Sequence, residues 1–256
     1  KTELFGKRFP TRLLNMGICE QNLAGVAAGL ARSGLLPVLS TFAAFAPGRC
    51  YDQIRQSIAY ANVPVKIMST HPGLAVGGDG AMHQSLDDLA LMRVLPNMTV
   101  LAPSDHIQTG KAVAAALYHP GPVYVRIGRK ECKGYFQEDW EFIIGKAYVL
   151  KEGSDIVFIA HGSMVEVAME AGLWLEKIGI SARVIDMPSI KPIDEEALLA
   201  AARIGKIITL EDHFVTGGLY SAVCEVICRE QPCRVQGLGV KGRFGQSGNA
   251  QELYRE

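Results

Sequence analysis

The chain has 256 residues, 48% of them hydrophobic, 20% charged and 7% aromatic, a composition that buries one large core or two modest ones and excludes disordered, collagen-like and disulfide-scaffold proteins. Twenty-six basic residues balance 26 acidic ones, so the charge surplus of a nucleic-acid or anionic-membrane binder is missing, and small molecules and proteins are the expected partners. The six cysteines are scattered without a C-x-x-C pair, no apolar stretch approaches the roughly 20 residues of a bilayer span and no signal-peptide pattern opens the chain, which fits a reduced, cytoplasmic protein.

Apolar runs of strand length alternate with helical patterns throughout, so the expected class is α/β, with parallel sheets and crossover helices arranged as two doubly wound domains. In the first half the pattern predicts strands at Arg12–Met16, Leu35–Thr41, Pro64–Ser69, Met98–Leu101 and Val123–Ile127. The helix predicted at Glu20–Ser33 interleaves Ala24, Gly25, Ala27, Ala28 and Gly29 with Leu23, Val26 and Leu30; each interior glycine costs about 1 kcal/mol relative to alanine, which close packing must offset. Further helices are predicted at Tyr51–Ala61 and at Ser104–Tyr118, where Ser104 and Asp105 offer an N-cap.

The period lapses from Lys130 to Trp140, which places a linker at 133–145 between a domain of residues 1–132 and one of residues 146–256. Strands follow at Ala147–Leu150, Ile156–Ala160, Ala182–Asp186, Lys206–Leu210 and Arg234–Leu238, with helices at Ser163–Ile178, Glu195–Arg203 and Gly218–Arg229. Gly179 ends the first of those helices as a C′ glycine does. Cys224, Cys228 and Cys233 read as core packing or inert surface, since no His or fourth thiol stands near them in sequence.

Chemistry-bearing residues gather at strand ends, where open α/β sheets bind ligands. Gly17-Ile18-Cys19-Glu20-Gln21-Asn22 puts a carboxylate between a strand and an apolar helix, either as a ligand group or as a complement to the helix N-terminus. Ser40-Thr41-Phe42-Ala43-Ala44-Phe45 sets two phenyl rings beside alanines, a wall for a flat heteroaromatic ring or ordinary core aromatics. The loop from His71 to Gln84 carries His71, Asp79 and His83 among glycines and suits a polyhydroxylated or phosphorylated ligand. None of the compact metal spacings is present there. Val125-Arg126-Ile127-Gly128-Arg129 ends in guanidinia able to clamp a phosphate or to form a linker salt bridge.

Taken in order, GICEQNLAGVAAGLA, STFAAF followed by YDQIR, GGDGAMHQ with DLALMR, and GPVYVRIGR resemble the transketolase family, specifically its pyrimidine-binding and C-terminal domains, over nearly the whole chain. That family holds the cofactor diphosphate and its metal on a further, N-terminal domain, through a GDG motif and a later Asn. Gly78-Asp79-Gly80 imitates the motif, but the residues at the required distance, Ser104 to Gly110, include no Asn. The resemblance therefore implies the C-terminal subunit of a split transketolase, paired with a separate diphosphate-binding N-terminal subunit in a heterotetramer of two of each chain.

It also implies thiamine diphosphate as cofactor, with a magnesium or calcium ion held by the partner subunit and no metal ligands here. Glu20 would hydrogen-bond the pyrimidine nitrogen and favour the imino tautomer, so that protein and cofactor divide the acid–base work. Phe42 and Phe45 would surround the pyrimidine; His83, catalytic beside Glu20, and Asp79 would contact donor hydroxyls; His71 and Arg129 would bind the substrate phosphate. The implied reaction moves a two-carbon ketol unit from a ketose phosphate to an aldose phosphate. A 2-oxoacid dehydrogenase beta subunit, a deoxyxylulose phosphate synthase-like subunit and a non-catalytic scaffold are the alternatives on the same architecture.

Two features depart from the family pattern. Ala46-Pro47-Gly48-Arg49 is about one residue longer, with Gly48 where many members place an aromatic or bulky residue, which implies a pocket wall that is looser or reshaped for an unusual sugar. The sequence also opens within the helix before the Glu20 strand, so the domain's first strand is expected to be missing and a sheet edge left unpaired. His213, in Leu210-Glu211-Asp212-His213, is expected to serve the interface or the structure.

Overall fold

The computed structural model describes residues 2–129 and 132–255; Lys130 and Glu131, where the linker pattern begins, lie outside the described residues. The first half comprises α1 (Thr2–Arg8), a 3-10 turn at Pro10–Arg12, α2 (Glu20–Arg32), β1 (Val38–Phe42) and α3 (Ala46–Gln53) running on into a π-helical stretch, Ile54–Tyr60. It continues with β2 (Lys66–Thr70), a 3-10 segment at Leu74–Asp79, α4 (Asp88–Arg93), β3 (Thr99–Leu101), α5 (His106–Tyr118) and β4 (Val123–Ile127). The second half adds β5 (Tyr148–Lys151), β6 (Ile156–Ala160), α6 (Met164–Glu176), β7 (Ala182–Asp186), β8 (Ser189–Lys191) and α7 (Glu195–Ala202), then β9 (Lys206–Phe214), α8 (Leu219–Glu230), β10 (Arg234–Val240) and α9 (Ala250–Leu253).

Two five-stranded sheets result, ordered β1-β2-β4-β3-β8 and β10-β9-β6-β7-β5. The β1–β2–β4–β3 block is parallel, so the carboxyl ends of β1, β2 and β4 line up: Phe42 is registered with Thr70, and Thr70 with Ile127. β8 comes from the second half of the chain and pairs antiparallel with β3. A strand of three residues behind a proline carries too little periodicity to be read from sequence.

The strand expected at Arg12–Met16 does not form. Pro10–Arg12 is a 3-10 turn, the chain then runs irregularly to Cys19, and Leu13 and Leu14 are 39% and 57% exposed. β1 is consequently the outer strand of its sheet, paired among the described residues with β2 alone. The second departure is at β9, which runs beyond Leu210 to Phe214 and buries Glu211, Asp212 and His213.

The halves are not independent bodies. One apolar cluster runs from Ala24, Ile54 and Leu89 through Met187 and Ile190 to Leu219 and Val223, so burial of nonpolar area spans the seam and stabilises both sides of it. The small-residue face of α2 belongs to that cluster: Ala24, Ala27, Ala28 and Ala31 are its buried positions. At the N-terminus of α5 the cap is Asp105, whose carboxylate accepts from the Gln108 amide at 2.7 Å. No helix among the described residues is long and apolar enough to cross a membrane.

Candidate active site

The aligned carboxyl ends of β1, β2 and β4 present Phe42 on the first, His71 just beyond the second and Arg129 just beyond the third. Glu20 is the first residue of α2, and Phe45 is the N-cap of α3. Neither Phe42 nor Phe45 is sealed in the core; both are half-buried and stack 5.7 Å apart between centroids, with ring planes 8° from parallel. The His71 ring lies 4.0 Å from Phe42, and the His83 ring meets Phe45 edge-on at 5.5 Å. Such spacings are those of favourable stacked and T-shaped aromatic pairs.

Polar contacts close the ring of residues. The Glu20 side chain is only 12% exposed, and Arg49 Nη1 lies 3.4 Å from each of its carboxylate oxygens. The same guanidinium sits over the Phe45 ring, 4.1 Å from its centroid. Arg129 donates to the Val76 carbonyl at 2.8 Å and lies 3.5 Å from an Asp79 carboxylate oxygen. A ring nitrogen of His83 is 3.1 Å from the Asp79 carbonyl, and Nδ1 of His71 is 2.8 Å from the Thr70 hydroxyl. Glu20, Phe42, Phe45, His71, Asp79, His83 and Arg129 therefore all stand at one end of the first sheet. Among the described residues no three His, Cys, Asp or Glu side chains stand together to hold a metal ion.

Arg49 is the residue that sequence reasoning left without a part. It lies in the first turn of α3, Ala46-Pro47-Gly48-Arg49, which delivers its guanidinium onto Phe45 and Glu20. Flat, cationic and rich in N–H donors, it stacks on the Phe45 ring with its Nη1 turned to the Glu20 carboxylate.

A buried charged layer lies beneath. Asp88 Oδ2 accepts from the Tyr124 hydroxyl at 2.7 Å and from Arg126 Nε at 2.8 Å, and all three residues are buried. Burial alone would raise the Asp88 carboxyl, but Arg126 and His213 beside it hold it below its ordinary 3.8. Arg126 also donates to the Asp212 main-chain carbonyl at 2.8 Å. The two arginines of the VRIGR motif thus divide: Arg129 faces the site, and Arg126 ties the halves together. His213 stands 4.0 Å from Asp88 within that seam, and burial pushes its imidazole down to about 4. Glu211 accepts the Leu219 and Tyr220 amides at 2.7 and 2.8 Å, capping α8, while burial raises its carboxyl to about 7.

Comparison with known proteins identifies the domains. Residues 1–133 match the model of the transketolase pyrimidine-binding domain, and residues 145–256 match that of the transketolase C-terminal domain. A putative transketolase C-terminal section from Methanocaldococcus jannaschii is 42% identical over all of this chain and 81% of its own length. One of the subunits of an apulose-4-phosphate transketolase from Phocaeicola vulgatus is 40% identical over 98% of this chain and 80% of that protein. The 1-deoxy-D-xylulose-5-phosphate synthase of Pelotomaculum thermopropionicum is 37% identical, but the chain spans only 39% of it. Among solved structures, a split-gene transketolase described as an inactive beta4 tetramer superposes with a TM-score of 0.92 at 50% identity, over 98% of this chain and 81% of that one.

Proposed function

The chain belongs to the transketolase family, and from that premise we propose that it is the C-terminal subunit of a two-polypeptide, thiamine diphosphate-dependent transketolase that moves a two-carbon ketol unit from a ketose phosphate to an aldose phosphate. The diphosphate and its magnesium or calcium ion belong, in this reading, to a separate N-terminal subunit, in an assembly of two of each chain. The observation that carries the proposal is the convergence of Glu20, the stacked Phe42–Phe45 pair and the His71, Asp79, His83 and Arg129 cluster at one end of a single sheet.

The pocket suits an aminopyrimidine because a planar N–H donor already rests on Phe45 against Glu20. Bound thiamine diphosphate supplies an electron sink for breaking and making a carbon–carbon bond next to a carbonyl. Glu20 holds a proton between its carboxylate and the pyrimidine ring nitrogen, which biases the tautomer of the ring. Phe42 and Phe45 fix the plane of the ring and exclude water from one of its faces. The His83 imidazole, steadied by the Asp79 carbonyl, exchanges a proton with a donor hydroxyl, and the Asp79 carboxylate accepts from another. Arg129 and His71 bind the phosphate at the far end, where a guanidinium offers paired donors. Arg49 must leave Glu20 when the pyrimidine enters.

The test is an assay of two-carbon transfer from ketose to aldose phosphates by the chain alone and with its diphosphate-binding partner, thiamine diphosphate and magnesium. Activity is expected only in the mixture, and an active lone chain refutes the division of labour. In the mixture, Glu20→Gln should lower kcat by about 10²-fold or more, the range of a lost acid–base group, with an unchanged unfolding midpoint. Release of carbon dioxide from pyruvate as donor, without transfer from sugar phosphates, would move the chain to the synthase reaction.

A further inference from the structure

The 3-10 segment Leu74–Asp79 ends on Asp79 and leads to His83, and its first two amides converge on one carboxylate of the other half of the molecule. Leu74 N–H donates to Asp212 Oδ1 at 2.8 Å and Ala75 N–H to Oδ2 at 3.4 Å. Asp212 is itself held by two further side chains. It lies near the end of β9 and is 4% exposed; the Tyr254 hydroxyl donates to its Oδ2 at 2.7 Å, and Arg126 donates to its main-chain carbonyl at 2.8 Å. Gly73 turns at φ +75 with its α-carbon against the carboxylate, where a Cβ would collide with the Asp212 oxygens. Farther along, Ser247 Oγ donates to the Gly78 carbonyl at 2.7 Å and Gln84 Nε2 to the Gln246 carbonyl at 2.9 Å. Both limbs of the loop are therefore tied to the C-terminal domain.

A loop with glycine at 73, 77, 78 and 80 has many backbone states available, and glycine loses the most freedom on being ordered. A charged acceptor shared by two adjacent amides is strong and directional enough to select among those states. We propose that Asp212 is a positioning residue for the loop 71–84: from the C-terminal domain it sets where His71, Asp79 and His83 stand, without touching the substrate. The kinetic consequence rests on the proposed roles of those three side chains; the structural one does not.

The test uses Asp212→Ala, Asp212→Asn and Tyr254→Phe. In the purified chain, amide hydrogen–deuterium exchange across 74–84 should quicken at least about tenfold in Asp212→Ala, the effect of leaving buried amides without their acceptor, with β2 and β6 unchanged. Asp212→Asn keeps one oxygen for Leu74 and should lie between wild type and Asp212→Ala. In the complex assembled with the diphosphate-binding subunit, Asp212→Ala should raise the donor KM at least about tenfold on the same reasoning, leave cofactor affinity by calorimetry unchanged, and be partly rescued by Asp212→Asn. Wild-type exchange across 74–84 in Asp212→Ala overturns the proposal, as does faster exchange with unaltered donor KM and kcat. Should Asp212→Ala fail to fold, Tyr254→Phe decides: it should quicken exchange in the same peptides, and no change there overturns the proposal. If the wild-type complex transfers no two-carbon unit, the proposed activity falls while the exchange measurement still judges the clamp.

Discussion

Asp186 gives the domain seam a pH dependence that can be worked out from its surroundings. It closes β7 in the second domain and is fully buried, and its Oδ2 accepts from Ser104 Oγ at 2.9 Å and Gln108 Nε2 at 2.6 Å, both in the first domain. Its Oδ1 meets no hydrogen-bond partner among the described residues. Burial raises the carboxyl from 3.8 to about 7, only partly offset by Gln108 and Ser104. In the unfolded chain the group loses its proton near 3.8, so between about pH 4 and 7 the folded state binds more protons, and stability falls as pH rises through that window. Ionising the buried group costs about 4 kcal/mol at 1.36 kcal/mol for each pH unit. Asp186→Asn reproduces the protonated carboxyl and abolishes that cost, but leaves an amide donor unpaired at about 1–3 kcal/mol. The variant should therefore be more stable than wild type by roughly 1–3 kcal/mol at pH 8 and lose its advantage by pH 4. Urea unfolding of both chains from pH 4 to 8 measures the difference. Parallel stability curves would show that Asp186 does not carry the proton assigned to it.

Three further outcomes are expected. Arg49→Ala, which empties the contact with Glu20 and Phe45, should tighten thiamine diphosphate binding to the assembled enzyme by about 3- to 30-fold, the summed worth of a half-exposed ion pair and a cation–π contact; weaker binding in calorimetry would mean that Arg49 holds the cofactor. The His213 imidazole, depressed by burial to about 4, should show no NMR titration between pH 8 and 5. Because the unfolded histidine takes its proton near 6.5, this group's contribution is lost as pH falls from 6.5 to 4, opposite in sign to that of Asp186. Arg126→Met should destabilise the chain by about 3–5 kcal/mol by stranding the Asp88 carboxylate, and a loss under 1 kcal/mol in urea unfolding would contradict the buried pair.

Most of the strand and helix sequence was legible because alternating apolar runs carry it: β3, β4, β6 and β7 begin and end within a residue of where periodicity puts them. The candidate site was legible for a related reason. Glu20, Phe42, His71 and Arg129 each sit at the end of a strand or the start of a helix, and parallel pairing brings such ends together without further information. Reasoning from sequence failed where a segment's environment is supplied from elsewhere. Arg12–Met16 has strand composition but runs as the end of a 3-10 turn and irregular chain, joined to no sheet. The strand expected at Lys206–Leu210 stops short of Glu211-Asp212-His213, yet the three residues extend β9, and α8, the glycine loop and Asp88 each offer one of them a partner.

The glycines of the loop show how a correct location can come with an incomplete reason. From sequence they read as part of an open loop suited to a polyhydroxylated or phosphorylated ligand. In the fold, Gly73 meets the Asp212 carboxylate, and a Cβ on Gly77 would stand 3.2 Å from the Gly248 carbonyl; these two glycines turn toward the C-terminal domain, while Asp79 and His83 lie on the side of Arg129 and Phe45. Close approach behind the loop is what lets short side chains in front of it be placed with little freedom, since a loop standing off from the domain would have to bridge the gap with flexible side chains. A β-branched or bulky residue at 73 or 77 would therefore act on the site from behind, and a loss of substrate affinity from such a change would come with no lost substrate contact.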